Sequence, residues 1–361
     1  MRHHPWRGKS ELCNDGRMGF QPSSRRLPAT VVARPLGFCG QPFPKLITDQ
    51  GDDAVRRFLE FFTANIRNLN TRLAYARAVN RFCRWCEQRR CDLDLIEPVT
   101  VAAYIEEMQA THSAPSVKQS LAAIRMLFDW LVIGQIVPHN PAASVRGPRY
   151  VVKRGKTPVL SAEDARRLLD SISTVRRTGH GDNVAEAPDL AGLRDRALIG
   201  VMVFSFARVS AVVGMNGSDY YQNGKRSWIR LHEKGGKFHE VPVHHKAESY
   251  LDDYLSAAGL SQDRAGPLFR TLKRRTGSIT STRLSRSDVL RMIKRRVRRA
   301  GLSTTTCCHT FRATGITACL QNGGTIEKAQ AIAAHESPRT TKLYDRTNDE
   351  LTLDEIERIL I

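Results

Sequence analysis

The sequence predicts a two-domain chain that is mainly α-helical and carries a small antiparallel sheet in its second half. Its 361 residues suffice for two ordinary cores. Apolar residues recur at three-four spacing over most of 52–133 and again from 193 onward, which predicts amphipathic helices. In the second half, two short apolar runs flank Gly235-Gly236, which predicts a hairpin.

Taken in order, residues 1–46 mix Arg, Gly, Pro and Ser without periodicity, as at Pro28, Pro35, Gly37, Gly40, Pro42 and Pro44. That composition predicts a flexible basic arm, or in part an over-long start with Met18 as the initiator. Residues 47–136 then predict a four-helix domain. Val55, Phe58, Leu59 and Phe62 mark its first helix, and Leu73, Ala76, Val79, Phe82 and Trp85 its second. Two more are expected over 99–111 and 116–133, the last with Val117, Leu121, Ile124, Phe128 and Leu131 on one face. Residues 137–157 are rich in Pro, Gly and basic side chains (Pro138, Pro141, Arg146, Pro148, Arg149, Lys153, Arg154) and read as a linker.

Residues 158–361 form the second domain. Ser161 is its expected N-cap, with Asp164 completing a capping-box-like start. Residues 174–190, polar and Gly-containing, read as an inserted surface loop. Leu193–Phe206 reads as an apolar helix and 227–244 as the hairpin, with Pro242 confining its second strand to an edge. Further helices are expected over 245–258, 286–300, 310–322 and 325–334, with mostly helical chain to Ile361.

Charge limits the partners. Lys and Arg number 56 against 36 Asp and Glu, a formal net charge of +20. Such a field favours a polyanion, and nucleic acid fits because phosphate contacts dominate its affinity. Eight cysteines at irregular spacing argue against a disulfide scaffold. Cys83-Arg-Trp-Cys86 resembles half a zinc site, but no second pair follows at finger-like spacing, and both cysteines fall in a helical run as core residues. With no apolar run long enough to span a bilayer, a soluble, cytoplasmic protein is expected. The first 26 residues lack the apolar core of a secretory signal.

Five short motifs stand in order along the second half: Arg208-Val-Ser210, Lys234-Gly-Gly-Lys237, His309-Thr-Phe-Arg312, Ala-Ala-His335 and Thr341-Lys-Leu-Tyr344. Each is weak alone, because in so basic a chain an isolated HxxR is usually a solvated helix face and a lone Tyr usually packing. Together they resemble the catalytic domain of the tyrosine recombinases, or phage-type integrases, over Arg208 to Arg346. The stretch Asn70 to Arg149 looks like that family's helical core-binding domain. The resemblance implies a clamp on double-stranded DNA and a homotetramer on synapsed DNA, and leaves room for accessory DNA-bending proteins. It also suggests service to a mobile element in a bacterial, nucleoid-associated setting.

The residues suit that chemistry. Phosphoryl transfer builds negative charge on the non-bridging oxygens, which the guanidinium forks of Arg208 and Arg312 match. Tyrosine, with an ordinary pKa near 10, needs a base or a strong field to attack, and His309 is the candidate base. Lys234 is the candidate general acid for the leaving 5′ oxygen, with Lys237 as runner-up. By analogy with the family, His335 would bond the phosphorane and place Tyr344, the nucleophile, giving a 3′-phosphotyrosyl link and a free 5′-hydroxyl. No carboxylate cluster suits Mg²⁺ and no phosphate-binding Gly-Lys-Ser/Thr loop appears, so no metal, ATP or other cofactor is expected. The chain departs from the family pattern at Ala211, where an acid often follows the first Arg, at Ala334 in place of Gly, and at Ala207 and Phe311 in place of Leu. Two rivals share the fold: a type IB topoisomerase, disfavoured by His309 where those enzymes usually carry Lys, and a catalytically inactive DNA-binding regulator, disfavoured by the intact polar set.

Overall fold

A computed structural model describes residues 42–151, 155–178, 185–233 and 238–345. Two compact units divide at Val151/Val152.

The first unit is helical. Helix α1 (Lys45–Thr48) leads into α2 (Asp52–Glu60), which continues as a π-turn over Phe61–Asn65. Asn68 caps α3 (Leu69–Gln88), its side chain accepting from the backbone N–H of Asn70 and Thr71. Helices α4 (Pro98–Thr111) and α5 (Ala114–Ile133) complete the unit, each with Pro in its first turn, where no N–H is missed. The predicted stripes meet in one core. Phe82 packs edge-to-face on Tyr104 and Phe128, with ring centroids 5.1 and 6.2 Å apart. Cys83 and Cys86 are buried in that core, where burial raises both thiol pKa values. Leu46 and Ile47 are buried too and Phe43 packs on Phe58, so the apolar residues closing the expected arm belong to the core. Residues 1–41 lie outside the described residues. On the outer face of α3, Arg77, Arg81 and Arg84 are exposed at helical spacing.

In the second unit, Ser161 accepts from the Asp164 N–H at 3.0 Å to start α6 (Ala162–Asp170). Asp164 does not complete a capping box. Its carboxylate instead bonds Arg167 at 2.6 Å. The expected loop at 174–190 is corrected: Val175–Thr178 (β1) and Ala185–Pro188 (β2) pair antiparallel. Helix α7 (Leu190–Phe204) is buried along nearly its whole length, and α8 (Val209–Gly214) follows after a tight corner. The main sheet has three antiparallel strands, β3 (Tyr220–Asn223), β4 (Arg226–His232) and β5 (Phe238–Pro242), in the order β3-β4-β5. The hairpin expectation thus gains a strand, and Pro242 lies on the edge strand. Along β4, Ser227, Ile229 and Leu231 alternate inward. After α9 (His245–Ala257) comes a second unforeseen hairpin, β6 (Arg270–Leu272) with β7 (Ile279–Arg283). Helices α10 (Arg286–Arg299), α11 (Cys308–Gln321), α12 (Ile326–Ala333) and α13 (Pro338–Lys342) close the described chain. The chain from 346 to 361, expected to be mostly helical, lies outside the described residues.

Two contacts fix this unit's frame. Fully buried Asp195 on α7 binds Arg194 at 2.7 Å and Arg296 of α10 at 2.8 Å, neutralising the charge inside the core. Helix α11 crosses α7 so closely that a Cβ on Gly315 would lie 2.1 Å from the Val203 carbonyl oxygen. Only glycine permits that approach.

Candidate active site

The Gly315 crossing sets α11 beside the end of α7. Helix α11 starts at Cys308, where the Cys307 N–H donates to Thr310 Oγ1 at 3.1 Å. His309 and Arg312, three residues apart, therefore share one face. The Arg312 side chain is 1% exposed. Its two Nη groups donate to the carbonyl oxygens of Phe206 and Ala333. Ala333 is the last residue of α12, so one of these is a helix-end carbonyl without a partner in its own helix.

Both carbonyls lie at unusual backbone. Phe206, with φ 54°, is left-handed and turns the chain between α7 and Arg208, the N-cap residue of α8. Ala334, with φ 47°, is left-handed and ends α12. The next residue, His335, is thereby turned inward, and its Nδ1 lies 2.9 Å from Thr341 Oγ1.

Tyr344 follows α13 and is 7% exposed. Its ring packs in a small apolar cluster with Phe206, Ala313, Ile316 and Ala333. Its carbonyl accepts from Thr317 Oγ1 at 2.9 Å, and the preceding Leu343 carbonyl accepts from the Gly155 N–H at 3.1 Å. So held, the phenolic oxygen stands 2.6 Å from His309 Nε2, and the His335 ring lies parallel to the phenol at 5.8 Å.

The five residues Arg208, His309, Arg312, His335 and Tyr344 therefore converge. Lys234 and Lys237 lie outside the described residues, between the end of β4 and the start of β5. Sequence reasoning missed Glu233, whose buried carboxylate forms an ion pair with Arg208. It also missed His239 on β5, a half-buried imidazole whose pKa is lowered by burial and which feels Glu233, Arg312 and Arg208. The only sequence signal for Glu233 was its place directly before Lys234.

Electrostatics sort the groups into roles. Burial, then the two arginines, pushes His309 below its ordinary pKa, so at neutral pH it is an imidazole able to accept a proton. Burial raises the Tyr344 pKa, while Arg312 and Arg208 oppose that rise. The phenol therefore rests protonated. His335 falls to about 4, first from burial and then from the arginines, and stays neutral. Arg312 falls to about 10, chiefly from burial and then from Arg208, and remains charged. Among the described residues, no group of three or more His, Cys, Asp or Glu could hold a metal ion, and no helix is long and apolar enough to cross a membrane.

Comparison with known proteins gives the family. The profile of the phage integrase family matches residues 159–350, and that of the phage integrase N-terminal SAM-like domain matches residues 55–134. The chain belongs to the phage integrase family. It is an enzyme of the tyrosine recombinase class, and its curated relatives carry that name. It is similar to tyrosine recombinase XerD of Corynebacterium glutamicum, with 30% identity over 286 residues, covering 76% of this chain and 86% of that protein. Tyrosine recombinase XerC of Chlamydia muridarum is 29% identical over 253 residues, covering 68% of this chain and 71% of that one. Among solved structures, the XerH site-specific recombinase in its post-cleavage complex with palindromic difH has a TM-score of 0.63 at 18% identity, covering 89% of this chain and 92% of that one. A lambda integrase dimer bound to a COC′ core site has a TM-score of 0.60 at 17% identity, covering 83% and 79%. These two structures establish the phage integrase fold for both units.

Left-handed Ala334 carries backbone strain that glycine would not. Ala334→Gly is expected to stabilise the protein by about 1 kcal/mol, read as a rise in the denaturant midpoint, since the φ it must adopt is one glycine prefers. An unchanged or lower midpoint would contradict the strain.

Proposed function

We propose that this chain cuts and rejoins double-stranded DNA at specific sites through a 3′-phosphotyrosyl intermediate on Tyr344. The observation that carries this reading is the 2.6 Å contact between the Tyr344 hydroxyl and His309 Nε2 beside a pair of guanidiniums. His309 takes the phenolic proton as Tyr344 attacks the phosphorus. Arg208 and Arg312 neutralise the charge that grows on the non-bridging oxygens. Lys234 gives a proton to the departing 5′ oxygen, and reversal with another 5′-hydroxyl rejoins the strand. The chemistry needs neither metal nor ATP, because arginines supply the cationic field and the phosphotyrosyl bond stores the energy. The net charge of +20 and the exposed Arg77, Arg81 and Arg84 on α3 suit a phosphate backbone. The relatives solved on DNA point the same way.

In excess EDTA, the wild type is expected to yield an SDS-resistant protein–DNA adduct and Tyr344→Phe none, while both bind DNA. Lys234→Ala is expected to slow cleavage of ordinary DNA far more than cleavage of a 5′-bridging phosphorothiolate, whose thiolate leaves without a proton. An adduct from the Phe variant removes Tyr344 as nucleophile. Equal slowing on both substrates transfers the acid's role away from Lys234, and Lys237→Ala is then tested in the same way.

Exchange between two duplexes requires four cuts and hence four protomers. We assign their cyclic contact to the apolar stripe Leu351, Leu353, Ile356, Ile359 and Leu360 of the chain's last segment. A chain ending at Asp349 is expected to bind DNA as a monomer and to form no four-protomer synapse. Full synapses from that truncation would contradict the assignment. We place the natural event in the movement of a mobile element within the nucleoid, with accessory DNA-bending proteins as partners. Sequencing covalent junctions trapped in host cells tests this: element ends support it, and a single chromosomal resolution site opposes it.

A further inference from the structure

Arg208 differs from Arg312 in how it is held. Arg312 is locked by two backbone carbonyls, whereas the partner given to Arg208 is a side chain, Glu233. Arg208's own helix offers no acid, because Ala211 and Val212, one turn on, are apolar and buried. The acid comes instead from the end of β4, 25 residues along the chain.

Glu233 is a costly residue to place there. Its side chain is 5% exposed while that of Arg208 is 36% exposed, so the carboxylate gives up more water than the guanidinium does. One carboxylate oxygen takes Arg208. The other, Oε1, is buried without a hydrogen-bond partner among the described residues. A carboxylate buried only for stability would have both oxygens satisfied, since the unpaired one carries its full desolvation penalty. Glu233 also sits in the field of both arginines: Arg208 disfavours the charge on Arg312, and Glu233 favours it. Two guanidiniums sharing one small site repel each other, and a single carboxylate beside them relieves that repulsion before a phosphate arrives.

We propose that Glu233 is the positioning residue of Arg208, holding its guanidinium toward the scissile phosphate from the end of β4. This rests on the phosphotyrosyl reading above. Glu233 acts through the direction of the fork of Arg208, its ion-pair partner.

A methylphosphonate linkage tests the assignment, because a methyl group replaces one charged non-bridging oxygen and leaves Arg208 no charge there to neutralise. Adduct formation is measured for the wild type, E233Q and Arg208→Ala on a duplex whose sequence comes from trapped junctions, with ordinary phosphate or methylphosphonate at the cut. E233Q is expected to slow adduct formation on phosphate roughly 10- to 100-fold, as misplacement of a charge-stabilising group does. On methylphosphonate it is expected to match the wild type within about twofold, as Arg208→Ala also should, with duplex affinity unchanged. Equal slowing on both substrates, or none on phosphate, overturns the proposal. If the wild type itself forms no adduct on phosphate, the phosphotyrosyl reading fails instead. Should E233Q lack a native melting transition, the comparison passes to E233D, whose carboxylate is withdrawn by one methylene and which is expected to show the same substrate-dependent defect.

Discussion

The second unit depends on one buried guanidinium. Arg312 joins the corner after α7 to the end of α12 by donating to Phe206 and Ala333, and so ties α7 to two consecutive helices that lie far along the chain from it. A lysine could not replace it, because a single ammonium lacks the planar fork that reaches two carbonyls at once. The left-handed residues Phe206 and Ala334 are the backbone's share of this arrangement. They place Arg208 and His335 immediately after the gripped corners. Without Gly315, α11 could not come near enough to α7 for the grip to form.

That brace also adds to the electrostatics that burial sets up in the site. A fixed cation inside the protein lowers the pKa of any base near it and favours any anion, and both effects act on the same pair here. Burial and then the arginines keep His309 neutral, and burial raises the Tyr344 pKa against the opposing pull of Arg312 and Arg208. Burial outweighs the second effect and keeps the phenol protonated. The protein thus holds a protonated phenol against a neutral imidazole, beside two guanidiniums. Glu233 restrains the more exposed arginine in the meantime.

Much of this was legible in the sequence, and the exceptions have physical causes. Helices with sustained apolar stripes, such as α3, α5 and α10, declare themselves because one face must be buried. The hairpins β1–β2 and β6–β7 do not, since Val175–Thr178 and Ile279–Arg283 are short, polar and Arg-bearing and show no alternation. The five converging site residues were readable from order and spacing, because chemistry fixes their types. Glu233 was not, for its partner lies far away in sequence and no local pattern marks it. Nor were the corners at Phe206 and Ala334, where the left-handed conformation falls on residues that do not usually adopt it. Ala211, read as the loss of an acidic partner, is answered in space by a carboxylate from another element.

The central claim is that Arg208, His309, Arg312, His335 and Tyr344 of one chain form a single site around Arg312, with that chain's own Tyr344 proposed to attack. Mixing Arg208→Ala protein, which keeps the tyrosine, with Tyr344→Phe protein, which keeps the arginine, tests this directly on one cleavage-site duplex that both variants bind. The account predicts no covalent adduct from the mixture at any ratio. Adduct formed by the mixture but by neither variant alone would show that one protomer's tyrosine enters another's site, and would contradict it.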